Sequence, residues 1–236
     1  MRIKPFRAIR PDSGTVDQIA TAPLENFSLD DAMTIIDENK KSFLRILLAE
    51  SDDVFNEFID EEWLIKEDKP AYYIYRLYDE ANKRSQFAVV GAVNRDEIFS
   101  NQEVNTTKTE KIKHLVETIQ AYPLLPILTT PAQATLSRRL AETRKNTFPL
   151  ASFDEDDGTN HCIWRITDEE TIQKITGYFQ TDTNKFKLET GQAVLNAAAS
   201  LSTKDNYIPA IIFSDKTNVF TNALEGLFLY DLKEGN

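Results

Sequence analysis

The stretch KLETGQAVLNAAASL, residues 187–201, carries the most suggestive chemistry in this sequence. Thr190, Gly191 and Gln192 open an alanine-rich helical segment, in which Ala193, Ala197 and Leu201 recur near i, i+4 and i+8 and are expected to bury one narrow stripe against a sheet or another helix. The first N–H groups of a helix have no intrahelical partner, so a phosphate or carboxylate can accept from them. The same turn also suits a plain N-cap, with Thr190 capping and Gly191 allowing close packing. Gln192, Ala193 and Val194 bring no charge to a phosphate, so a nucleotide there would be held weakly.

Glu103 is the second candidate. As a general base it needs a perturbed environment and a substrate hydroxyl within reach; otherwise it is one more solvated acid. His114 lies opposite Ile112, Leu115, Val116 and Ile119 on its helix and is expected in solvent. His161 alternates with Cys162 and is expected to point away from the core. Neither histidine has a serine or aspartate partner by spacing, so no triad is assembled. Two histidines and one cysteine cannot build a Cys/His zinc cluster. The acids Asp154 to Asp157 lack EF-hand spacing and are read as a solvated turn, without metal. Arg138, Arg139, Arg144 and Lys145 read as a solvated basic face. None of the seven glycines falls in GxxxxGK[ST] or GxGxxG, so neither standard phosphate loop is present.

Composition narrows the partners. With 27 Lys+Arg against 38 Asp+Glu, the net charge of −11 repels phosphate backbones and argues against nucleic acid. No apolar run has membrane-spanning length, and MRIKPFRAIRP has no apolar h-region behind its charges. A lone Cys162 leaves no internal disulfide framework. The cytoplasm is the location that fits.

These residues need elements to hold them. Ser28 is placed to cap a helix over LDDAMTIIDENK. SFLRILLA (42–49), short and apolar, is predicted as a buried strand. DVFNEFIDEEWLI follows as a helix with Val54, Phe55, Phe58, Ile59 and Trp63 near one face. PAYYIYRLYD and RSQFAVVGAV then form a hairpin across DEANK. TKTEKIKHLVETIQAY repeats apolar residues at i, i+3, i+4, i+7 and is helical. LLPILTT reads as a strand, and Pro131 suits the first turn of the helix after it. HCIWRI is a strand with Cys162, Trp164 and Ile166 on one face, DEETIQKITGYFQ a helix and NKFKLE a strand. YIPAIIFSD, TNVFT and LEGLFLYDL are predicted as closing strands. The expected fold class is α+β, with mixed sheets and packed helices. The softest boundary, near 145–160, divides an N-terminal α+β part (1–150) from a C-terminal strand–helix part (151–236), the alternative being one intertwined domain.

The segments IKPFRAIRP, SFLRILLAE, EDKPAYYIYR, IWRI and the strand–helix around Gly191 occur in one order. That order resembles the large bacterial family of domain of unknown function 1015, from Met1 to about Leu232, the amino-terminal part of a typical longer member. The resemblance implies a ParB/sulfiredoxin-like element in the C-terminal part. The family's DGHHR signature is similar to motifs of a superfamily that includes nucleotide-dependent free-serine kinases. Here the signature falls on Thr190-Gly191-Gln192-Ala193-Val194, and only the glycine matches. A KKHE-like segment falls on Ser100-Asn101-Gln102-Glu103 and keeps the glutamate. A PPYD-like segment falls on Ala22-Pro23-Leu24-Glu25, and the histidine of an SFLH-like strand is Arg45. The framework residues Pro5, Phe6, Arg7, Phe43, Tyr73, Tyr75 and Trp164 persist. Loss confined to reactive side chains is what a member relieved of its chemistry would show.

Two function classes follow. The first is a non-catalytic accessory protein without cofactor, binding a protein partner or a small anionic metabolite. The second is a phosphotransferase acting on a small hydroxyl metabolite such as free serine, with ATP or ADP and magnesium, Glu103 as base and the Thr190 turn on phosphate. Missing cations weigh against it, because phosphoryl transfer depends on electrostatic stabilisation. A homodimer or another protein partner is expected, since Leu224, Leu227, Phe228, Leu229 and Tyr230 on a lone terminal strand would leave apolar surface wet.

Overall fold

A computed structural model describes residues 1–131, 134–145, 147–155, 157–180, 186–201, 206–214 and 223–232. In chain order the strands are β1 (Ile3–Lys4), β2 (Ala8–Pro11), β3 (Leu64–Lys66), β4 (Tyr72–Asp79), β5 (Arg84–Asn94), β6 (Ile98–Phe99), β7 (Ala121–Tyr122) and β8 (Ile127–Thr129), followed by β9 (Ala151–Asp154), β10 (Thr159–Ile166), β11 (Phe186–Thr190), β12 (Tyr207–Phe213) and β13 (Leu229–Asp231). The helices are α1 (Val16–Ile19), α2 (Leu29–Glu38), α3 (Leu44–Leu47), α4 (Asp53–Asp60), α5 (Thr106–Ile119), α6 (Ala134–Lys145), α7 (Glu169–Gln180) and α8 (Gln192–Ser200).

Two mixed or antiparallel sheets organise these elements, so the class is α+β. The larger runs β6-β11-β8-β12-β5-β4-β10-β9, with β1 also on β5. Its β11–β6 and β12–β8 pairs are parallel and the others antiparallel. Strands from before and after residue 150 therefore interleave. The smaller sheet is antiparallel, in the order β3-β2-β13-β7.

Both faces of the large sheet are covered, and the strand sequences show it. In β4, Tyr73 and Tyr75 pack on one face with Ala193, Val194 and Phe228; Tyr72 and Ile74 pack on the other with Trp164 and Phe179. A third core joins the small sheet to α3 and α4. Helix α5 serves two of these cores: Ile112 and Val116 face the large sheet, Leu115 and Ile119 the small one. Between the sheets, Glu67 is buried and pairs at 2.6 Å with both Arg10 of β2 and Arg165 of β10.

Local signals explain several boundaries. Ser28 caps α2 by accepting from Asp31 N–H at 3.1 Å, and Asn105 caps α5 by accepting from Lys108 N–H at 2.9 Å. The β4–β5 hairpin closes at Asp79 opposite Arg84.

Other readings are corrected. Residues 42–49 hold the short helix α3, not a strand. Leu47 and Leu48 N–H bond back to Phe43 and Leu44 carbonyls, so the backbone is satisfied locally while Phe43, Leu44 and Ile46 are buried. An apolar run of this length does not reveal its period. Leu224, Leu227, Phe228, Leu229 and Tyr230 are all buried. The terminal strand is not alone: β13 sits between β2 and β7, which removes the wet apolar surface. Thr190 is not the N-cap of α8. It ends β11, and Gly191 takes the cap position at φ 101° with no side-chain cap bond. The expected strand TNVFT and residues 132 and 133 before α6 lie outside the described residues.

Candidate ligand cleft

Where β11 turns into α8, the chain must pass Pro126. A Cβ on Gly191 would lie 2.8 Å from Pro126 Cα, and the positive φ already disfavours any other residue. The glycine is thus required by packing. Behind it, Ala193, Val194, Ala197 and Ala198 are buried and α8 lies against α5, which accounts for the alanine stripe. Leu201, at the stripe's end, is partly buried.

The α8 N-terminus opens onto a cleft of about 740 Å³. Its apolar wall includes Leu48, Leu115, Leu124, Leu125, Ile211 and Phe228. Its polar lining brings together Glu25, Glu103, Glu189, Thr190, Gly191, Gln192 and Glu225 with Lys108 and Lys111. The sequence candidates Glu103 and Thr190, Gly191 and Gln192, far apart in the chain, therefore share one site, and Glu25 of the 22–25 segment joins them. Arg45 does not line it; its guanidinium holds Glu57 at 2.8 Å.

Most polar groups here are engaged within the protein. Ser100 O–H donates to the Gln192 side-chain carbonyl, whose amide donates to Asn196 at 3.0 Å. Gln102 donates to the Glu189 carbonyl at 2.7 Å. The Glu189 carboxylate accepts from Thr129 at 2.6 Å and Lys187 at 3.0 Å. Lys108 pairs with Glu25. Glu103 is exposed.

Glu225 is the candidate group in the cleft that the sequence reading missed. It lies half-buried in the cleft lining. Burial pushes its carboxyl up to about 7, helped by Glu25 and opposed by the Leu24 N–H and Lys108. Oε2 accepts from Leu24 N–H at 3.1 Å, and backbone bonds join Glu225 to Thr21 in both directions. The available signal was an acid set inside the apolar run ALEGLFLY.

Two further readings are corrected at the edge of this site. His161 is fully buried, because β10 lies inside a sheet with a core on each face. Alternation does send it away from Cys162, but into a second core beside Ile163. Its Nδ1 meets the Tyr75 hydroxyl at 2.7 Å and its Nε2 meets Glu155 at 2.7 Å. Phe153 stacks on the ring, with centroids 5.1 Å apart. A backbone hydrogen bond from Leu224 also reaches Tyr75, whose phenol burial pushes well upward. With its proton on Nε2, His161 satisfies every member: Leu224 N–H donates to Tyr75, Tyr75 to Nδ1, and Nε2 to Glu155. Glu155 is accordingly no purely solvated acid. Asp154 and Asp157 are exposed, and Asp156 lies outside the described residues.

His114 is exposed, as its helix face predicts. In the basic patch, Arg138 is exposed whereas Arg144 lies 4.7 Å over the Phe87 ring. Among the described residues no group of three or more His, Cys, Asp or Glu is placed to hold a metal ion, and no helix is long and apolar enough to cross a membrane.

A family model described as a protein of unknown function, DUF1015, matches residues 3–187. The match covers β1 through β10 and the first two residues of β11, and it stops before Thr190. No curated protein and no solved structure matches the chain.

Proposed function

This chain belongs to the DUF1015 family, and from that premise we propose that it is a non-catalytic binding protein for a small organic metabolite held in the cleft at the α8 N-terminus. The observation that carries the reading is the cleft itself, about 740 Å³ with an apolar wall and a few convergent polar groups. That combination is the usual form of a small-molecule site. A protein partner or homodimer receives less support, since the terminal segment that motivated it is buried in its own fold. Phosphoryl transfer is disfavoured by charge. Glu25, Glu103, Glu189 and Glu225 line the cleft against Lys108 and Lys111, a balance that opposes a nucleotide's phosphates.

One observation favours a phosphotransferase as the second reading: Glu103 and the Thr190–Gly191 turn share the cleft. Under it, the β11–α8 unit is compared with ParB-type anion sites, ATP or ADP with magnesium is the donor, and Glu103 is the base. A radiolabel transfer assay with free serine separates the two, and we expect no turnover. Turnover abolished in Glu103→Gln would replace the binding reading with the enzymatic one. The positive test is a ligand-observed NMR screen of metabolites. Hits should be lost when Leu124→Trp fills the cleft in a variant that retains its melting temperature. Hits that survive this variant would move the site elsewhere.

A further inference from the structure

A cleft of this kind leaves open which ligand charge it accepts, and its wall gives an answer. Glu225 presents one carboxylate oxygen to Leu24 N–H at 3.1 Å; its other oxygen, Oε1, has no partner among the described residues. Lys108 is the lysine whose charge acts on Glu225, but that amine is paired with Glu25. A half-buried carboxylate facing a cavity without a counter-charge is a place where a cation gains more than it would at the surface. We infer that the cleft binds an organic cation, a protonated primary amine on an apolar body, with the ammonium on Glu225 and the body against Leu115, Leu124 and Phe228.

The opposing charges are weaker. The α8 N-terminus offers only a fractional positive charge, equivalent to about half an elementary unit. Lys111 is exposed, so its field is screened by solvent and salt. Glu103 and Glu189 add negative potential around the mouth. The apolar wall has no use for a fully hydrated ion such as ammonium or magnesium. An alkylamine fits both the charge and the wall.

This inference rests on the cleft being a ligand site, and the test separates the two claims. Saturation-transfer NMR and titration would compare n-hexylamine with hexanoate, which share a body and differ in charge. The amine should bind at least tenfold more tightly at pH 8. Its affinity should fall several-fold at pH 5.5, as Glu225 takes up its proton, and a similar loss should follow in Glu225→Gln, with the variant folded and its melting temperature no lower than that of the native protein. Equal or tighter binding of hexanoate would overturn the cation assignment and leave the cleft a ligand site. Amine binding unchanged in a folded Glu225→Gln would also overturn it. Binding of neither probe, in native or variant protein, would remove the cleft reading and the inference together.

Discussion

Glu225→Gln is expected to stabilise this protein, and only above mildly acid pH. The carboxyl is raised from an ordinary 4.5 to about 7, so the folded chain holds the proton more tightly than the unfolded chain does. Below pH 4.5 both states are protonated and the group contributes nothing to the difference. Between 4.5 and 7 the unfolded chain ionises first, and stability is lost as pH rises. Above 7 the folded chain carries the full cost of a half-buried carboxylate. A pKa difference of this size corresponds to about 3 kcal/mol, each unit being about 1.4 kcal/mol. Partial exposure reduces that to about 1–3 kcal/mol. Glutamine keeps an acceptor for Leu24 N–H and removes the charge. Urea denaturation followed by circular dichroism at pH 8, 6 and 4.5 should show the variant more stable by that amount at pH 8, with the gap closing by pH 4.5. A variant less stable at pH 8, or a gap independent of pH, would show that the carboxylate is well compensated and that the electrostatic reading of the cleft is wrong.

Three further substitutions test the packing that shapes the site. Ala197 is fully buried where α8 meets the core, so Ala197→Leu should overpack it and lower stability by about 1–3 kcal/mol in the same denaturation assay. Gly191→Ala places a Cβ against Pro126 at φ 101° and should cost at least about 1–3 kcal/mol; an unchanged midpoint would show that the turn relaxes freely. Tyr75→Phe strips His161 Nδ1 and the Leu224 backbone of a partner. It should cost about 1–3 kcal/mol and speed amide exchange at Leu224, measured by hydrogen–deuterium exchange.

Much of the scaffold was legible because its signals are local. Ser28 before two aspartates specified a cap, the apolar period of residues 112–119 specified the inner side of α5, and the alternation through 162–166 specified one face of β10. Charge and cysteine counts excluded several chemistries without any fold. The alanine spacing of 193–201 marked a buried side, and α5 proved to be its partner. The site was half legible: Glu103 and residues 190–192 stood out by type, while nothing in their spacing said that they face one cavity.

The rest depended on which surfaces meet. Residues 42–49 and His161 were misread because an apolar run has no period to read, and alternation gives the side of a strand without saying what covers it. The terminal segment was expected to be wet, since its two neighbours in the small sheet come from residues 8–11 and 121–122, far away in the chain. Glu225 acquired its raised proton affinity the same way, from burial beside the 21–25 segment. Desolvation and hydrogen-bond satisfaction are properties of the assembled environment. The sequence by itself therefore determined where helices and strands can form and which residues can carry charge. Tertiary structure decided which charges lose water, which gain partners, and that they share a cleft.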